Sequence, residues 1–249
     1  MLKEGRRHGE TDWDGQDGRA RVRTEAMALR ELAAAGVHVP VVYEEFDEQR
    51  HACLAVEDVG ERTLEELVRV ERLLSVRGAL LLSAGVARLV AEVHEAGWAW
   101  RDCKPRNVVV GDHGVLRRID FEGGCSIGVR GLSPWGSEGY ASPEWLDPAA
   151  DQSSCDLFAL GVSCYQVLVG TRSFGATSSL RERSFNLQQT ADLIEENTNA
   201  FHLGLVPYDS DDASVNLARL TVKVEGLRVE QCRREQQLDQ PHEGNNDPA

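Results

Sequence analysis

The chain has 249 residues, 41% of them hydrophobic, so it can bury a full core and has the length of one large domain or two small ones. Its 27 Lys and Arg stand against 41 Asp and Glu, a formal net charge of -14, which argues against nucleic acid or an anionic membrane as the main partner. Six scattered cysteines without a CxxC pair, an amino-terminal MLKEGRRHGETDWDG without an apolar run, and a most apolar segment (157–169) too short for a bilayer predict a cytoplasmic protein with no membrane span.

In chain order, residues 24–35 place Met27 or Ala28, Leu29 and Leu32 at helical spacing, and Gly36 stops the run. Two β-type segments, 39–46 and 51–59, flank the polar turn Asp47-Glu48-Gln49-Arg50 and predict a hairpin. Over 78–94 the residues Leu82, Val86, Leu89, Val90 and Val93 share one helical face, which Gly97 ends. Short β runs at 107–110 and 115–119 are joined by Gly111-Asp112-His113-Gly114, and a Gly- and Ser-rich loop then leads to Pro143. Residues 154–169 are apolar nearly all round, as a helix buried on every side must be. After about Phe174 the chain turns polar, with a moderately helical stretch near 214–237 and a tail, QPHEGNNDPA, of disordered composition.

The chemistry centres on WAWRDCKPRNVVV, in which Asp102, Lys104 and Asn107 form D-x-K-x-x-N. Phosphoryl transfer from ATP to a hydroxyl needs a carboxylate to orient and deprotonate the nucleophile, a cation near the transferring phosphate, and oxygen ligands for Mg²⁺. These three residues supply one of each. Beyond a β-turn-β pattern comes Ile119-Asp120-Phe121-Glu122, whose aspartate could hold a second face of the metal. Each motif alone is weak, and their joint occurrence in order carries the reading.

With these residues in place the chain resembles the eukaryotic-like protein kinases, an α+β fold of two lobes. GSEGYASPEW (136–145) resembles the end of an activation segment, with Ser142-Pro143-Glu144 where Ala-Pro-Glu is usual, and CDLFALG (155–161) resembles the start of the buried central helix, whose Asp156 would brace the catalytic loop. CLAVEDVGERTL (53–64) resembles the fifth strand and hinge, so that Val56 would be the gatekeeper and Glu57 and Val59 would offer backbone groups to adenine. Glu25 shares the buried face of Leu29 and Leu32, which makes it the candidate partner of an ATP-positioning lysine. That lysine would be Lys3, which without the family reads as a frayed terminal lysine. The resemblance implies ATP and Mg²⁺ as cofactors and Ser or Thr of a protein or peptide as acceptor. A closer resemblance is to the kinase domain of class III lanthionine synthetases. It is carried by Leu2-Lys3-Glu4-Gly5-Arg6-Arg7, by ETDWDGQDG (10–18), by Arg23 and Glu25, and by Asp120-Phe121-Glu122 in place of Asp-Phe-Gly. It implies phosphorylation of a lanthipeptide precursor. A calcium-loop reading of the Asp-rich stretch fails, because Arg23 stands where Glu is needed.

The resemblance also has departures. The chain starts at the third strand of the expected fold, without the first two strands or a GxGxxG phosphate loop. Trp100 replaces the usual catalytic-loop histidine and is expected to lose its hydrogen bond to the metal-binding segment, and Glu122 replaces a glycine. The expected divisions are a partial N-lobe (1–56), a hinge (57–60), a C-lobe with catalytic loop and activation segment (61–175), and an unassigned tail (176–249). Two other functions remain open: a catalytically impaired kinase-like binding module, favoured by the absent phosphate loop, and an aminoglycoside-type small-molecule phosphotransferase, against which GSEGYASPE stands. Arg101 either reads a phosphate on Ser126, Ser133 or Ser137 or anchors the loop by hydrogen bonds. Acidic residues 209–212 are either a docking site or a solvated face.

Overall fold

The computed structural model describes residues 1–6, 16–71 and 74–170. Three antiparallel strands open it: β1 (Leu2–Gly5), β2 (Val42–Glu48) and β3 (His51–Val56), in the order β1-β3-β2. Central β3 buries Ala52, Leu54 and Val56, whose alternation points them to one face, and helix α1 (Gly18–Ala34) packs there. The sequence pattern catches only the second half of α1. Gly18, Arg19, Arg21 and Arg23 interrupt the apolar spacing at its start, yet Asp17 supplies an N-cap by accepting from the Ala20 N–H at 3.0 Å. Ala28, not Met27, is the buried member of the pair left open, and Glu25 does face inward. Close approach of β1 to α1 requires Gly5, because a Cβ there would lie 2.0 Å from the Gly18 carbonyl oxygen.

The β2–β3 turn is tighter than expected. Gln49, in the left-handed region at φ 55°, reverses the chain with Arg50, so β2 runs two residues further into the turn while β3 begins at His51 as expected. Strand β3 stops at Val56, and residues 57–60 leave the sheet after Glu57 N–H bonds the Val41 carbonyl at 2.8 Å.

Helix α2 (Leu64–Glu71) is absent from the sequence reading although Thr63 and Glu66 form a capping box. Glu66 N–H donates to Thr63 Oγ1 at 3.2 Å, and Thr63 N–H donates to Glu66 Oε2 at 3.0 Å. Its single apolar stripe over two turns is too short to stand out by periodicity. Helices α3 (Val76–Glu95) and α4 (Gln152–Val169) match their expected cores and are each longer by a turn or less at the capped start, where Ser75 and Asp151 accept from Gly78 and Ser154 N–H. α4 ends at Gly170 in the left-handed conformation, φ 89°. Between the two helices in sequence, β4 (Trp98–Ala99) pairs with β7 (Cys125–Ser126), and β5 (Val108–Val110) with β6 (Leu116–Arg118). β4 and β7 are two residues each, below what an alternation pattern can reveal. One apolar core runs from α1 and β3 through α3 to Trp100, Phe121 and α4. The expected helix at 214–237, the polar tail and the 209–212 acid run lie outside the described residues. Among the described residues no helix is long and apolar enough to cross a membrane.

Candidate active site

The loop after β4 is built on Asp156, which α4 presents fully buried. Its two oxygens accept separately: Oδ2 from the Trp100 N–H at 2.7 Å and Oδ1 from the Arg101 N–H at 2.6 Å, with His94 Nε2 2.9 Å from Oδ2. These bonds hold Arg101 at φ 66°, a conformation a side chain bearing a Cβ rarely adopts, and the strain is borne where the next residue is Asp102.

Asp102 is nearly buried, and four contacts fix it. Lys104 Nζ donates to Oδ2 at 2.6 Å and Ser137 Oγ to Oδ1 at 2.8 Å, while Asn107 Nδ2 donates to the Asp102 carbonyl at 3.0 Å and to Oδ2 at 2.9 Å. Lys104 Nζ also reaches Ser137 Oγ at 2.5 Å. A single 3-10 turn over Pro105–Asn107, with proline at its first position, brings Asn107 back beneath the carboxylate. The Ile119 N–H then bonds the Asn107 carbonyl at 2.9 Å and places Asp120 beside the loop. The expected trio is therefore brought together. The sequence offers Ser137 only as a phosphate acceptor, because 35 residues separate it from Asp102 and hide their contact.

Lys3 is no frayed terminus. Its ammonium lies 2.8 and 2.7 Å from the two Glu25 oxygens, 3.4 Å from Asp120 Oδ1 and 3.7 Å from Glu122 Oε1. Ligand atoms of the three carboxylates fall within 4.8 Å of one another, and Lys3 is the cation they share. Burial alone would lower the Lys3 pKa, but the acids outweigh it and the ammonium is held above its ordinary value. Burial pushes Glu122 up, with the Asp120 charge adding to it and Lys3 opposing it. Phe121 N–H donates to Glu25 Oε1 at 3.3 Å, so α1, β1 and the 120–122 segment meet at one point.

Trp100 corrects the expected loss at the histidine position. Its indole Nε1–H donates to the Ile119 and Asp120 carbonyls at 3.2 and 3.0 Å, and its ring stacks on Phe121 with centroids 5.7 Å apart. The hydrogen bond survives on a different ring, and it holds Asp120 at φ 68°. Arg101 makes anchoring hydrogen bonds: Nε donates to Gln152 Oε1 at 2.7 Å, Nη1 to the Gly123 carbonyl at 3.1 Å and Nη2 to the Ser133 carbonyl at 2.6 Å. Glu57 and Val59 stand apart from both clusters, on the connector after β3. The Glu57 side chain is tied to Arg117 at 2.6 Å, which holds its carboxyl below the ordinary range.

In chemical terms the two clusters are a lysine paired with a buried carboxylate and an aspartate presented to a hydroxyl, each with hard oxygen donors beside it. The sequence profile of the family described as Protein kinase domain matches residues 3–225, further along the chain than the resemblance noted above. Similar proteins include the serine/threonine-protein kinase PknL of Mycobacterium tuberculosis, 29% identical over 64% of this chain and 41% of its own length. They also include the serine/threonine-protein kinase Aurora-1 of Arabidopsis thaliana, 28% identical over 54% of this chain and 46% of its own. Ribosomal protein S6 kinase alpha-4 of Homo sapiens is 33% identical over 63% of this chain and 22% of its own. The chain thus spans less than half the length of each. None of these three is a lanthionine synthetase, so the narrower resemblance stands on its short motifs alone.

Proposed function

Because this chain belongs to the protein kinase family, we propose that it transfers the γ-phosphoryl group of Mg-bound ATP to a Ser or Thr hydroxyl of a protein or peptide. The observation that carries this reading is the Asp102 carboxylate, which already accepts a hydroxyl hydrogen bond from Ser137 at 2.8 Å with Lys104 beside both. A substrate hydroxyl in that field would give its proton to Asp102 as its oxygen bonds to the γ-phosphorus and the bond to the ADP leaving group breaks. Lys104 would steady the developing charge on the γ-phosphate, and Lys3, oriented by Glu25, would hold the inner phosphates. Backbone groups of Glu57 and Val59 would receive adenine.

The donor set fits Mg²⁺. Asn107 uses its amide nitrogen on Asp102, which leaves the amide oxygen for a cation, and Asp120 adds a carboxylate only about a third exposed. When bound, the metal neutralises charge on the phosphates. The finer reading, a lanthipeptide-type precursor rich in Ser and Thr as substrate, rests on Asp120-Phe121-Glu122 and on the place Glu122 takes beside Lys3. A small-molecule phosphotransferase is disfavoured by Ser137, since it ties the activation segment to Asp102 where a peptide would lie.

The test offers radiolabelled Mg-ATP and peptides whose sole hydroxyl residue is Ser, Thr or Tyr, together with a Ser/Thr-rich precursor-like peptide. Label on the Ser and Thr peptides but not on the Tyr peptide supports the reading, and preference for the precursor-like peptide supports the finer one. Label on Tyr alone would contradict it.

A further inference from the structure

Kinases in which arginine precedes the catalytic aspartate often order their activation segment with a phosphate. Here the Arg101 guanidinium already has other partners in the segment. Arg101 binds the Gly123 and Ser133 carbonyls, one at each end of the stretch between Glu122 and Trp135. Trp135 seats its indole on Gly123: a Cβ at that glycine would lie 1.8 Å from the Trp135 Cδ1. The guanidinium of Arg21, only 8% exposed, lies 4.0 Å from the centre of the Trp135 ring. Arg21 is on α1 one turn before Glu25, so both project from the same face of the helix.

We propose that Trp135 is a positioning residue that locks the activation segment to α1 through Arg21, so that Glu25 is set for Lys3 without any phosphate on the segment. Three independent features converge on this: the missing Cβ of Gly123, the buried cation over the ring, and the carbonyl partners of Arg101. Ser137, one of the hydroxyls a phosphate could occupy, is engaged by Asp102 and Lys104. The lock therefore acts on the same face of α1 that orients the ATP-binding lysine, and its loss should appear in ATP binding more than in turnover.

The proposal rests on the phosphotransfer reading, and the experiment separates the two. Amide hydrogen exchange over residues 123–141 is followed in the wild type, Arg21→Ala, Arg21→Lys and Trp135→Phe, alongside KM for ATP and kcat, each before and after phosphatase treatment. Expected is an exchange acceleration of about tenfold in Arg21→Ala at the Gly124, Tyr140 and Ala141 amides, which bond within the segment. KM for ATP should rise more than kcat falls, Arg21→Lys should recover most of both, and phosphatase should change nothing in the wild type. Unchanged exchange in Arg21→Ala, or wild-type exchange raised to the variant's level by phosphatase, would overturn the proposal. Should Arg21→Ala not fold, Trp135→Phe keeps an aromatic ring, weakens both its seat on Gly123 and its hold on the cation, and is read the same way. Should the wild type transfer no phosphate at all, the phosphotransfer reading fails while the exchange comparison still decides the lock.

Discussion

Replacing Asp156 by Asn tests the keystone of the catalytic loop with almost no change in volume. The carboxylate offers one oxygen to the Trp100 N–H and the other to the Arg101 N–H, at 2.7 and 2.6 Å, in a site with no solvent access. An amide has a single acceptor oxygen, so one of the two N–H groups would face an NH₂ with nothing to accept it. Leaving a buried donor unsatisfied costs about 1–3 kcal/mol, and losing the charge from the surviving bond adds about 1 kcal/mol. The sum, about 2–4 kcal/mol, corresponds to a fall of about 0.7 M or more in the urea midpoint at an m-value of about 3 kcal/mol/M. The left-handed backbone of Arg101 would lose its clamp at the same time, so Asp102 should drift and phosphate transfer should drop further than stability alone explains. Urea unfolding followed by tryptophan fluorescence, paired with transfer assays well below the midpoint, measures both. A midpoint shift under about 0.3 M with transfer intact would refute the reasoning, because the two N–H groups would then have found other partners.

Trp100→Phe keeps the stack on Phe121 but removes the indole donor, and it should raise the Mg²⁺ needed for half-maximal transfer while costing about 1–2 kcal/mol of stability; Trp100→His should recover the Mg²⁺ dependence. Gly5→Ala drives a Cβ to within 2.0 Å of the Gly18 carbonyl, backbone against backbone, and should lower stability by about 1–3 kcal/mol in the same unfolding assay. Burial pushes the Cys125 thiol up to about 11 and the Cys164 thiol up to about 12, so both stay neutral near pH 8 and ionise only as pH approaches those values. Alkylation at pH 8 read by mass spectrometry should therefore leave both unmodified in the native protein and label them on unfolding; rapid native labelling of Cys164 would contradict its burial.

What the sequence made legible was chemistry at short range and helices of several turns. Asp102, Lys104 and Asn107 lie within six positions, so one loop can gather them, and the apolar faces of α3 and α4 repeat often enough to declare themselves. Lys3, Glu25 and Asp120 could be joined only through the family resemblance, since the contacts span 22 and 117 positions. Short elements escaped for a different reason: α2 and the β4–β7 pair present too few residues for a period to show, although the Thr63-to-Glu66 capping box was there to read. Trp100 is opaque in the sequence because its residue type does not disclose the role it takes. Its indole N–H does from a larger ring what an imidazole would do, and only the position of the Ile119 and Asp120 carbonyls reveals that.

The proposed transfer requires Asp102 to present a hydroxyl to the γ-phosphate of Mg-ATP. The most direct measurement is a single-turnover transfer of labelled phosphate to a Ser/Thr peptide by the wild type and by Asp102→Asn, with Mg-ATP binding measured in parallel. Transfer by the wild type that falls about a hundredfold or more in Asp102→Asn, with ATP binding preserved, is the predicted result. Equal transfer by both proteins, or ATP bound by both and transferred by neither, would contradict it.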